Sequence, residues 1–136
     1  MTEQEGERLL YKGKKVWMAE EPLNQYLQNR NDILFFPTST SCWRGYYGQW
    51  KITDNNLYLV GLKAYIEGNK EVDLNYLFPG QSKVFANWYS GEIRIPQGNM
   101  LKYGRMCYFE EYMLLKLNKG IITEEKFIDS LNNFEE

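Results

Sequence analysis

The sequence predicts a mainly β protein, a curved antiparallel meander sheet or partly open β-barrel of about seven to nine strands with a C-terminal α-helix. Three observations carry that reading. Aromatic residues make up 16% of the chain, with 11 Tyr, 7 Phe and 4 Trp, and such side chains suit a pleated, half-buried surface. From Tyr46 onward apolar and polar residues alternate as a strand requires. Turn residues then punctuate the apolar runs at hairpin spacing.

The elements follow in order. Leu9-Leu10-Tyr11 and Val16-Trp17-Met18 flank Lys12-Gly13-Lys14-Lys15, two short apolar runs around a Gly-containing turn, which predicts a hairpin. Glu20-Glu21-Pro22 ends it. Leu23, Tyr26 and Leu27 have helical spacing over a short run. Ile33 to Pro37 is an apolar run, and Thr38 to Ser41 a polar linker. Tyr46, Gly48, Trp50 and Ile52 then share one strand face, and Tyr47, Gln49, Lys51 and Thr53 the other. Asp54-Asn55-Asn56 supplies a turn, because Asn and Asp tolerate left-handed backbone.

Leu57 to Ile66 is long for a strand. Tyr58, Val60, Leu62, Ala64 and Ile66 read as its apolar face, and Gly61 as a bend or bulge. Residues 69–82 form the longest excursion. The pattern of aromatic strand, turn and apolar-x-apolar strand recurs at Trp88 to Gly98, and again at Tyr108 to Gly120. Three such hairpins make a meander. In the tail, Thr123 can cap a helix with Glu124 and Glu125 in its first turn. Phe127, Leu131 and Phe134 follow at helical intervals, so a helix is expected over 123–135, covering an open edge of the sheet.

Length bounds the organisation. A chain of 136 residues is one domain, 1–136, large enough to bury about two thirds of its unfolded surface. Residues 1–7 carry three acids and no base and are expected to be a flexible acidic N-terminus. Residues 124–136 add five acids and one Lys, which leaves 15 bases against 10 acids in 8–123. The body is thus mildly basic and both ends acidic. The N-terminus lacks the basic and apolar regions of a signal peptide, and no run approaches the ~18 apolar residues of a membrane span. A cytoplasmic protein without a membrane partner is expected.

Composition excludes whole classes of chemistry. There is no histidine, which removes imidazole-dependent triads, His metal sites and a histidine pH switch. Cys42 and Cys107 are too far apart for a CxxC pair and read as buried thiols, with a disulfide left open. Glycosidases need only two carboxyls across a gap. The adjacent pairs Glu20-Glu21 and Glu110-Glu111 would point to opposite faces if extended. No phosphate loop, dinucleotide fingerprint or metal-ligand cluster is present. The expectation is no enzyme, no cofactor and no metal.

The densest local chemistry is Cys42-Trp43-Arg44-Gly45-Tyr46-Tyr47-Gly48-Gln49-Trp50. Its aromatics can be core, with Arg44 stacked on an indole. Second to that, they can hold a flat or sugar-like ligand, or form a protein-interaction hot spot, where Trp, Tyr and Arg are enriched. Trp43, Arg44, Tyr47, Trp50, Tyr58 and Trp88 are the candidate ligand- or partner-binding residues. Basic and aromatic residues also interleave at Tyr103-Arg105-Tyr108 and Trp88-Tyr89-Arg94, as in single-strand binders. The pI of about 5.3, the lack of any Lys/Arg run beyond two and the missing RNP-type signature argue against nucleic acid.

Two resemblances follow from these residues. Gly48-Gln49-Trp50 on a strand is similar to the GxW of lipocalins, which implies a curved barrel enclosing a small apolar ligand, here lined by Trp50, Tyr58, Trp88 and Tyr108. Tyr11-Lys12-Gly13-Lys14-Lys15, Glu21-Pro22-Leu23, the CWRGY-x-G-x-W stretch and Leu57-Tyr58-Leu59 together resemble a family of small bacterial proteins without assigned function, across most of residues 8–120. That resemblance implies a single bacterial domain and no particular chemistry. The function expected is a non-enzymatic binding or interaction domain that recognises an unknown protein or small molecule through an aromatic-rich surface. A lipocalin-like ligand-binding barrel is the alternative.

Overall fold

A computed structural model describes residues 6–37, 42, 44–103 and 106–129; the side chains of 96–111 and 129 are not among what it describes. The chain begins with the expected hairpin, β1 (Glu7–Tyr11) and β2 (Lys14–Met18). Its two-residue turn places Lys12 at φ 49° and Gly13 at φ 77°, the mirror-image turn whose twist matches that of paired strands. A short helix, α1 (Leu23–Leu27), follows. Next come β3 (Tyr46–Thr53) and β4 (Asn56–Ile66), joined by Asp54 and Asn55 at φ 52° and 64°. β5 (Lys70–Asp73) and α2 (Leu74–Leu77) occupy the excursion, and β6 (Val84–Phe85) follows it. Asp73 caps α2 by accepting from Asn75 N–H at 3.1 Å. Three long strands end the described chain: β7 (Gly91–Tyr103), β8 (Met106–Asn118) and β9 (Ile121–Asp129).

The strands form one mixed sheet in the order β2-β1-β3-β4-β9-β8-β7, with β5 and β6 attached to β4, and it is not closed into a barrel. β4 organises it. β3 pairs along one edge, while β5, β6 and β9 share the other. β9 meets β4 at a single pairing, Asn56 with Ile121. The sheet curls strongly there. Tyr11 of β1 reaches across to donate to Glu125 of β9 at 3.1 Å, although β3 and β4 lie between them in the sheet. The curl also brings the outer strands β2 and β7 alongside each other unpaired. The Glu20 carboxylate spans that gap, accepting from Arg94 N–H at 3.3 Å. Leu9, Trp50, Leu57, Leu59, Ile93, Ile95 and Leu115 fill the enclosed core. Among the described residues no helix is long and apolar enough to cross a membrane.

Several expectations require correction. Residues 123–129, the first half of the expected helix, belong instead to strand β9; residues 130–135 of that expected helix lie outside the described residues. The physical reason is local. Lys119 and Gly120 (φ 50° and 81°) make a two-residue hairpin turn that returns the chain onto β8. Thr123 spends its hydroxyl on Lys116 C=O at 3.2 Å, not on a cap, and Glu124 pairs with Lys116 across the strands at 3.2 Å. The expected hairpin within Tyr108–Gly120 is one continuous strand, β8, up to Asn118. Trp88 sits in a turn before β7, not on a strand. The sheet is not a pure antiparallel meander, because β1 runs parallel to β3.

The bulge expected near Gly61 is present. The β3–β4 register slips between Gln49 and Trp50, leaving Val60 as the extra residue. A bulge reverses which alternate residues face inward. Leu62 and Ala64 therefore face the core as expected, but on the other side of the bulge Leu57 and Leu59 take the place of Tyr58 and Val60. Residues 6–7 also depart from a flexible terminus: Glu7 opens β1 and is 1% exposed. Residues 1–5 lie outside the described residues.

Candidate functional site

Strand alternation divides the aromatic block between two environments. Tyr46, Gly48 and Trp50 face the core, and Tyr47 and Gln49 face outward. On the inner side a buried polar knot forms around Glu7. Its carboxylate accepts from Arg44 Nη2 at 2.7 Å, Gly48 N–H at 2.8 Å and Trp50 Nε1 at 3.1 Å. The Arg44 side chain is 5% exposed, and Glu21 lies 3.9 Å from its other terminal nitrogen. Burial raises the Glu7 pKa, and Arg44 offsets this only in part. Burial is the largest influence on Arg44 and works against its charge, but the Glu7 charge and hydrogen bond together with Glu21 more than offset it, and the guanidinium is held protonated. Only a glycine fits at 48, since a Cβ there would run into the Glu7 carboxylate and lie 2.7 Å from the Trp50 indole nitrogen. Tyr46 donates to Asn24 at 2.7 Å, and its own pKa is pushed up by burial. Arg44 and Trp50 are therefore fold-holding residues at the sheet's centre. Gly48-Gln49-Trp50 stands on a curved strand, but its indole fills the core.

The other candidates separate. Trp88 is half-buried, stacked on Phe78 at 5.8 Å and 8°, and its indole N–H donates to Pro22 C=O at 2.9 Å, which clamps the α1 segment. Tyr58 lies on the outer face, 5.8 Å from Phe85, with Lys83 Nζ 4.1 Å from its ring centre. Trp50 and Tyr58 thus stand on opposite faces of the sheet and cannot line one cavity. Tyr108's side chain and all of Trp43 lie outside the described residues. Cys42 carries a free thiol, 2% exposed, that donates to Tyr46 C=O at 3.1 Å. It should stay unreactive to Ellman's reagent in the native protein and titrate on unfolding; rapid native labelling of Cys42 would contradict this burial.

Of the candidates, Tyr47 lies in a cleft. On the outer face a depression of about 420 Å³ is lined by Gly6, Arg8, Trp17, Tyr47, Gly48, Gln49, Lys63 and Tyr65. Strand pairing builds it. Trp17, Arg8 and Gln49 stand in one row across β2, β1 and β3, and Tyr47 and Lys63 are opposite each other on β3 and β4. The Arg8 guanidinium lies 5.1 Å from the Trp17 ring centre, Arg44 supports Tyr47 at 5.4 Å, and Lys63 lies 5.9 Å from Tyr65. Each aromatic wall is thus paired with a cation, an arrangement that presents flat π faces and positive charge together. Trp17 is 56% exposed, far more than packing would leave a large indole.

Sequence reasoning placed Trp17 in a hairpin without assigning it a role, and it missed Arg8, Lys63 and Tyr65. Part of the signal was available: Tyr47, Gln49, Lys51 and Thr53 were assigned to one face of the strand, opposite Trp50. The second wall was hidden because the parallel β1–β3 pairing joins segments some forty residues apart (Arg8 with Gln49). Comparisons with protein-family models, with curated proteins and with solved structures find no match to this chain.

Proposed function

We propose that this chain is a non-enzymatic binding domain that recognises its partner with the outer face of β1–β4, centred on the cleft between Trp17 and Tyr65. The observation that carries the reading is the exposed Trp17 indole, fixed beside Arg8 at the rim of a 420 Å³ depression. That volume falls in the usual range for ligand sites, ~300–1,000 Å³. Among the described residues that line it, the cleft holds and stacks but presents no carboxylate or thiol, which favours recognition over catalysis. The free thiol of Cys42 suits a reducing compartment such as the cytoplasm.

Affinity capture from extract of the source cells, with bound protein and nucleic acid both analysed and wild type and an Arg8→Ala/Trp17→Ala variant side by side, tests the reading. Both side chains are exposed, so the variant should melt within a few degrees of wild type. A partner retained by wild type and lost by the variant is the expected result. Capture that is unchanged in the variant would remove the outer face from consideration.

A further inference from the structure

The charges of the outer face are more one-sided than the net charge of −2 suggests. Arg8, Lys15, Lys51 and Lys63 all project from the outward side of β1–β4, and Lys83 joins them over Tyr58. In 7–18 and 46–66, the stretches that contain these four strands, the acids are Glu7, buried inward, and Asp54, in the β3–β4 turn. Among the described residues Arg8, Lys15, Lys51 and Lys83 make no ion pair, and Lys63 has one loose pair to Glu71 at 3.9 Å. Acids return at Glu71 and Asp73 on β5, which border the face on one side. Aromatic rings alternate with the cations: Trp17 and Tyr47 at the cleft, Tyr58 and Tyr65 along β4.

Resting on the binding role proposed above, we infer that this face binds single-stranded nucleic acid, its bases stacking on Trp17, Tyr47 and Tyr58 and its phosphates held by Arg8, Lys15 and Lys51. Stacking platforms within a basic track are how single strands are gripped without base-specific hydrogen bonds. The makeup of the cations selects this ligand over an acidic protein. Four of the five are lysines, which are depleted at protein–protein interfaces, whereas a phosphate accepts a lysine as a point charge. The acidic pI argued against nucleic acid from composition alone. That argument weakens when the sheet sorts the bases onto one face, because screening at physiological salt limits distant charges to a range of about 8 Å.

The test is fluorescence anisotropy of a labelled fifteen-residue oligothymidylate against the full chain, titrated with salt. With three cations on phosphates, log affinity falls with log salt at a slope near −2, about twentyfold between ~50 and ~200 mM. Trp17→Ala should weaken binding about tenfold through lost stacking. Lys51→Ala should weaken it at every sequence and make the slope shallower by about 0.7. Both residues are exposed, and a thermal melt of each variant verifies that the fold is kept. A duplex of the same length should bind more weakly, its bases being already stacked. No binding at about 100 µM in low salt, the weak end of non-specific contacts, overturns the inference. So does equal affinity for polyglutamate, which assigns the face to an acidic protein. If the capture experiment still yields a protein that depends on Arg8 and Trp17, the binding reading survives and only the nucleic-acid assignment fails.

Discussion

Glu7→Ala should destabilise the protein by about 4 kcal/mol, seen as a lowered urea midpoint with an unchanged slope. The carboxylate is the shared acceptor for Arg44, Gly48 N–H and Trp50 Nε1, and removing it takes that acceptor from all three buried donors at once. Each such loss costs about 1–3 kcal/mol, more for the charged one. Glu7→Gln keeps one acceptor oxygen and should fall between wild type and Ala. A Glu7→Ala loss below about 1 kcal/mol would contradict the buried knot.

Arg44→Met makes the same point through pH. Burial already raises the Glu7 pKa above its ordinary 4.5, and loss of the opposing guanidinium raises it further. Between 4.5 and that raised value, the folded state binds a proton that the unfolded state has released. The associated stability is present below the unfolded value and lost as pH rises through the folded one. The variant should therefore sit closer to wild type near pH 4 than near pH 7. Denaturation curves at the two pH values check this, and a pH-independent difference would count against it.

Gly120→Ala is the second large effect, about 3 kcal/mol from backbone strain and collision combined. Gly120 holds φ 81°, and a Cβ there would lie 2.5 Å from the Ala86 carbonyl oxygen. The residue also joins three segments. Its N–H donates to Tyr89 C=O and its C=O accepts from Leu57 N–H, both at 2.8 Å, beside the single pairing of β4 with β9. Gly13→Ala is the control: its φ is 77°, but nothing lies within 4 Å of the added carbon. It should cost only the left-handed penalty of about 1 kcal/mol. Equal losses at the two positions would mean that the contact with Ala86 contributes nothing.

What was legible in the sequence was local. The Lys12-Gly13 and Asp54-Asn55 turns, the Gly61 bulge and the alternation of Tyr46 to Ile52 each depend on a few neighbouring residues, and each is present. What was hidden depends on partners far along the chain. The tail's spacing of Phe127, Leu131 and Phe134 suits a helix, yet β8 offers a thirteen-residue edge to pair with, and Phe127 ends on a strand, 64% exposed. Glu7 reads as terminal surface charge until Arg44, 37 positions on, is brought against it. The candidate site failed in the same way. The aromatic block looked like one unit, but a period of two sends Trp50 inward and Tyr47 outward, and the cleft's other wall comes from the first hairpin.

The narrow gap between β2 and β7 governs how the molecule behaves in company. An open sheet offers two free edges on which other chains can template themselves, and an exposed edge is the usual start of fibril growth. Here the five-residue β2 lies against part of the thirteen-residue β7, so over that stretch an incoming strand must first part the two. It must also displace the Glu20 carboxylate from Arg94 N–H, and Lys14 and Lys15 on β2 resist insertion by charge. Burial raises the Glu20 pKa, so this guard loses its charge in milder acid than an exposed glutamate would. Colloidal stability should therefore give way on acidification before the core does, with aggregation starting from the seam.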